Sequence, residues 1–171
     1  VLATEGYLSE IGLEHFAIGM REHATSDSGA PGLLGDSADS AYDTAGTAAY
    51  DVHAAAAVQV DGARDGWIEG VSTFLPAGNT SGAHLLSIGL LLGQSSQRFT
   101  VRNCDLRSPQ YRGGGGNGYL FLFYGMDHLL VDNHAVGGRH NFLASGMTAS
   151  GDVVLRGRSE AARYPDDTHR F

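Results

Sequence analysis

The chain contains no lysine; all 11 of its basic residues are arginines. That excludes any mechanism needing a lysine base, a lysine Schiff base or the lysine of a phosphate loop. A single cysteine, Cys104, rules out an internal disulfide and leaves the redox compartment open. Proline numbers only four and the glycines follow no three-residue period, so collagen is excluded. No run approaches the roughly 18 apolar residues of a membrane helix, and no basic run offers a footprint for nucleic acid or an anionic membrane. The chain starts at Val1 without a methionine or a signal pattern, so it reads as a processed form or a fragment.

What is abundant is glycine, 25 residues in 171, where average usage of about 7% gives roughly 12. Many tight turns in a β architecture account for such an excess. Charge is uneven as well: residues 1–70 hold 12 acids and two arginines, residues 71–171 seven acids and nine arginines, and the net charge is −8.

A short apolar strand, a turn and a second strand with a polar step near its end recur four times. The copies are Val58–Val60 with Trp67–Val71, Leu90–Leu92 with Thr100–Cys104, Leu120–Phe123 with Leu130–His134, and Phe142–Ala144 with Val154–Arg158. Aligning Ile68, Val101, Val131 and Leu155 gives spacings of 33, 30 and 24 residues, one coil of a solenoid each. Strands this short cannot bury an apolar side alone, so the coils must stack with parallel pairing between them. The expected fold is all-β, a single-stranded right-handed parallel β-helix forming one domain over residues 1–171. Residues 24–47 are expected to project as a loop, and the open ends offer strand edges for self-association. Asn103 and Asn133 fall at matching places in this alignment and predict a short asparagine ladder ended by Gly157. Residues 45–57 read as a loop with at most one helical turn, and 113–117 as a flexible hinge.

Trp67-Ile68-Glu69-Gly70-Val71, Phe99-Thr100-Val101-Arg102-Asn103-Cys104 and Gly138-Arg139-His140-Asn141-Phe142 resemble coils of the pectin-lyase-like (pectate-lyase-like) β-helix superfamily. So does the run from Ser150 to Val154 with Asp167 to Phe171. The resemblance covers roughly residues 67–171. It implies a secreted or cell-surface protein acting on a polysaccharide or cell-surface glycan, with polysaccharide lyase activity as one outcome. Without lysine, and without the paired aspartates of the polygalacturonase branch, only arginine-based or histidine-based elimination stays open. Non-catalytic adhesive or filament-forming solenoids share the fold, so the fold alone does not choose.

Stacking the coils aligns Tyr119 with His140 and His169, and Phe121 with Phe142 and Phe171, with Arg139, Asn141 and Arg170 on the opposite side. Arg139, His140, His169 and Arg170 form a candidate catalytic set, with Tyr119, Asn141 and Arg112 as candidate substrate contacts. Arginine would neutralise a uronate carboxylate while histidine or tyrosine moved the α-proton. Plain aromatic and polar ladders account for the same residues without chemistry. Asp27, Asp36, Asp39 and Asp43 gather four carboxylates in the acidic loop and make calcium a candidate ligand there, against the simpler reading of a solvated loop. Asp166, Asp167 and His169 invite the same comparison. Cys104 reads as a small buried residue.

Overall fold

Short strands separated by tight bends are what the alternating segments form in the computed structural model, which describes residues 7–24 and 41–163. The first pass of the chain gives β1 (Leu8–Ser9), β2 (Gly12–Glu14) and β3 (Ala17–Ile18). The second gives α1 (Ala48–Asp51), β4 (Ala56–Val60), β5 (Ala63–Arg64), β6 (Trp67–Glu69) and β7 (Ser72–Thr73). Three strands follow in each later pass: β8 (Ile88–Leu92), β9 (Thr100–Arg102) and β10 (Asp105–Arg107); β11 (Tyr119–Phe123), β12 (Leu129–Val131) and β13 (His134–Val136); β14 (His140–Ala144), β15 (Val153–Leu155) and β16 (Arg158–Glu160).

Strands from equivalent places pair in parallel. Sheet A runs β4-β8-β11-β14, sheet B β2-β6-β9-β12-β15 and sheet C β3-β7-β10-β13-β16, with β1 paired to β5. The protein is thus mostly β, built from parallel sheets. The third strand of each pass is not separate in the sequence reading, which merged it with the second.

What separates them is a residue with positive φ. His15, Gly70, Asn103, Asp132 and Arg156 all adopt it at the bend from sheet B to sheet C. Five residues earlier in each pass, Glu10, Asp65, Arg98, Asp127 and Gly151 do the same on the way into sheet B. Each sheet B strand is therefore held between two left-handed residues, a conformation costly for most side chains and eased for glycine, asparagine and aspartate.

This geometry corrects the repeat alignment. Val101 pairs with Leu130 and Leu130 with Val154, so Val131 and Leu155 sit one place further along, beside Arg102. The shift follows the left-handed bend: Asp132, not Asn133, is the counterpart of Asn103. The asparagine ladder is accordingly absent. Asn103 is exposed at the bend, whereas Asn133 is buried, accepts the Cys104 N–H at 3.0 Å and donates to the Val101 carbonyl at 2.9 Å. Gly157 does follow Asn133, since Arg158 pairs with His134.

The main core joins the three sheets through Ile68, Val101, Leu106, Leu92, Phe121, Phe123 and Leu130, with Phe142 packed on it. Phe121 and Phe142 stack with centroids 4.9 Å apart and planes within 7°. Every residue of β11 is buried, which explains why a strand that should alternate reads as an unbroken apolar run. Trp67 lies over Gly12, where a Cβ would meet the indole at 2.3 Å, and its N–H donates to the Glu14 carboxylate.

Of the expected loop at 24–47, residues 25–40 lie outside the described residues. In the described part Tyr42 packs on His53 at 5.2 Å and covers Gly115, while residues 43–46 are exposed. Helix α1 is one turn, capped by the Thr47 hydroxyl, which accepts from the Tyr50 N–H. Nor are residues 113–117 a hinge. Asn117 is fully buried, and its Oδ1 accepts from Ala54 N and Ser87 Oγ, each at 2.9 Å.

Two substitutions test the core and the corrected register by urea unfolding. Phe121→Ala is expected to cost about 3–5 kcal/mol through the cavity it leaves. Asn133→Ala is expected to cost about 1–3 kcal/mol by stranding buried backbone groups, while exposed Asn103→Gly stays within about 0.5 kcal/mol. Equal losses at both asparagines would restore the ladder.

Candidate functional site

The residues singled out for chemistry separate into a buried group and a surface group. Tyr119 pairs with His140 as the sequence alignment expects, their rings 5.2 Å apart. Both are buried, at 7% and 6% exposure, and Tyr119 packs with Ile88, Leu122 and Leu143 in a cluster distinct from the phenylalanine stack. The sequence alignment expects Asn141 on the side opposite His140, as a candidate substrate contact. It is instead buried: its Oδ1 accepts the Gly138 N–H, and its Nδ2 donates to Ala135 O, Ser159 Oγ and Glu160 O. A side chain so fully used ties β14 to β16 and is not positioned to meet a substrate. His169 and Arg170 lie outside the described residues.

The arginines are brought together at the surface. Arg112 Nη1 donates to Gly137 O at 3.3 Å, Arg163 Nη1 to Arg112 O at 2.8 Å, and the Arg163 backbone N–H to Gly138 O at 2.9 Å. The Arg139 N–H donates to Gly118 O at 2.7 Å, and a Cβ on Gly118 would lie 2.8 Å from the Arg112 Cα. Arg112 and Arg163, both partly exposed, thus meet at one corner where sheet C turns into sheet A, and the backbone of Arg139 runs beside them. Beside it runs a cleft of about 130 Å³ lined by Ser81, Ala83, Ser108, Pro109, Arg112 and Gly137. Arg163 was not singled out in the sequence; nothing about its spacing separates it from the other arginines.

One wall of this cleft is fixed by a residue the sequence reading also passed over. The Glu22 carboxylate accepts from the hydroxyl and N–H of Ser81, at 2.6 and 2.9 Å, and from those of Thr80, at 2.9 and 2.7 Å. These bonds, the Ser81 hydroxyl foremost, hold its pKa down at about 2. Asn79 and Gln110 then bind the backbone of residues 20–23 through their amides, as a neighbouring strand would.

His128 is the clearest structural histidine, 1% exposed. The Phe99 N–H donates to its Nδ1 at 3.1 Å. Its Nε2 lies 3.1 Å from Ser96 Oγ, whose own proton goes to Gly93 O at 2.6 Å. The ring is therefore assigned as the neutral Nε2–H tautomer. Burial depresses its pKa to about 4, and protonating Nδ1 would also break the Phe99 bond. Cys104 is buried and its thiol is pushed up by burial.

For calcium, Asp27, Asp36, Asp39, Asp166 and Asp167 lie outside the described residues. Asp43 is exposed, with the Thr44 hydroxyl donating to its carboxylate at 3.3 Å. Among the described residues no group of three or more His, Cys, Asp or Glu side chains could hold a metal ion, and no helix is long and apolar enough to cross a membrane. A scan against family models finds none that matches, and searches of curated proteins and of solved structures return no match.

The depressed His128 pKa fixes a sign. The unfolded chain takes up its proton near pH 6.5 and the folded one only near 4, so stability falls as the pH is lowered through that window. About 2 kcal/mol should be lost between pH 7.5 and 5, read from urea midpoints. In His128→Gln most of that slope should vanish, the remainder belonging to His84, whose burial acts in the same sense.

Proposed function

We propose that the three parallel sheets form a right-handed, single-stranded parallel β-helix of the pectin-lyase-like kind. We further propose that it is a secreted or cell-surface protein that binds an acidic polysaccharide at the Arg112, Arg139 and Arg163 corner. The four passes from β4 onward visit sheets A, B and C in the same order, and neighbouring strands within each sheet come from successive passes. Parallel connections of that sort are right-handed in about 98% of cases. The carrying observation for function is Arg112, which lines a cleft that also presents Ser81 and Ser108 and whose carbonyl receives the Arg163 guanidinium. Guanidinium groups match the planar carboxylates of uronic acids, and hydroxyls match sugar hydroxyls.

Binding without cleavage is the form this reading takes. Elimination needs a base within reach of the α-proton, and His140, which the sequence offered for that role, is packed beneath the surface against Tyr119. A structural reading, a stack that self-associates, draws on a different observation. On the last described pass Val153, Val154 and Leu155 are 51, 38 and 45% exposed, beside a largely apolar cavity of about 480 Å³.

Titration calorimetry with oligogalacturonate, alginate and heparin fragments separates these readings. Binding of at least one, weakened about tenfold in Arg112→Ala and weakened further by salt, is the expected result. Unsaturated uronate appearing in ultraviolet absorbance would reinstate the lyase. No binding to any of the three, with light scattering that grows with protein concentration, would replace the glycan reading by the structural one.

A further inference from the structure

On the outer face of sheet C, His134 of β13 stands between carboxylates from the strands on either side. Its Nδ1 is 3.3 Å from Asp105 Oδ2 of β10, and its Nε2 is 3.2 Å from Glu160 Oε1 of β16. A neutral imidazole has one N–H and can donate to only one of these oxygens, leaving a ring lone pair against the other carboxylate. The protonated ring donates to both. We propose that His134 is a proton-dependent clasp that fastens β16, the outermost described strand of sheet C, when protonated and loosens it when neutral.

The surrounding charges are all accounted for among the described residues. Arg107 of β10 holds Asp105 through two bonds, at 2.5 and 2.6 Å, and Arg158 of β16 pairs with Glu160. These two cations oppose a third positive charge, and the two carboxylates favour it. His84, beyond Arg107 and bonded to the Thr73 hydroxyl, faces the inner edge of the group. β7 presents only Ser72 to this column, paired with Asp105.

The clasp acts at an edge of the sheet. β16 pairs only with β13, and among the described residues no strand covers its far edge. Its Ser159 also lines the cavity of the last pass, so loosening β16 opens that wall.

Global unfolding is the wrong probe, because His128 makes overall stability run the opposite way with pH. Amide hydrogen exchange, corrected for the chemical rate, reads β16 locally. From pH 5 to 8 the protection of Arg158 and Glu160, whose N–H groups face β13, should fall about fivefold, the upper end for a partly exposed charge pair, while β11 amides show no such fall. The fall should disappear in His134→Gln and in Glu160→Gln, the second keeping a hydrogen-bonding amide beside the ring and serving alone if the first does not fold. Protection that is flat with pH in the parent chain, or a fall that survives in either variant, overturns the clasp.

Discussion

The fold depends on one repeated backbone constraint, a left-handed residue on each side of every sheet B strand. Because the two lie five residues apart in all five passes, each strand has the same length and leaves in the same direction. The next pass can then lie on it in register, and Ile68, Val101 and Leu130 come to share one buried column. Parallel pairing supplies the hydrogen bonds, but the bends decide which residues meet. A one-residue slip would turn the column outward.

Charge follows the same register. Asp65 receives Arg98 at 2.5 Å, Glu69 receives Arg102 at 2.6 Å and Asp132 receives Arg156 at 2.6 Å, each acid one pass before its arginine. Exposed pairs contribute little stability individually, yet each is satisfied only in the native register, so together they disfavour the slipped one. Two acids of the second pass, Asp65 and Glu69, are answered in this way by arginines of the third. Arg112 and Arg163 depart from the pattern by donating to backbone carbonyls, which is what makes their corner a surface of a different kind.

The stacking was legible because it rests on apolar periodicity: Val58, Leu90, Phe121 and Phe142 are neighbours as their spacing requires. The bends were only half legible. His15, Gly70, Asn103 and Asp132 are residue types that favour positive φ, but nothing in Glu10, Arg98 or Arg156 announces it. Aligning on asparagine instead of on the bend therefore moved the later passes by one residue. The burial of His140 and Asn141 was hidden for a related reason. Alternation correctly paired Tyr119 with His140, but it assumed that one side of sheet A is wet, and that sheet is buried on both faces at β11.

The interior thins toward the last described pass, and this bears on what that pass can do. Along the stack Leu106 gives way to Ala135 and then Ser159, Phe123 to Ala144, and Leu130 to Val154. Cys104 likewise leads to Asn133 and then Gly157. Each step replaces apolar volume with a smaller or polar side chain, and the cavity lies where these replacements meet. Burial contributes least in that layer, so its order leans on polar contacts, those of Asn141 with Ser159 and Glu160 and those of His134 with Glu160. A layer held that way responds to a single proton, whereas the phenylalanine-filled layers beneath it do not.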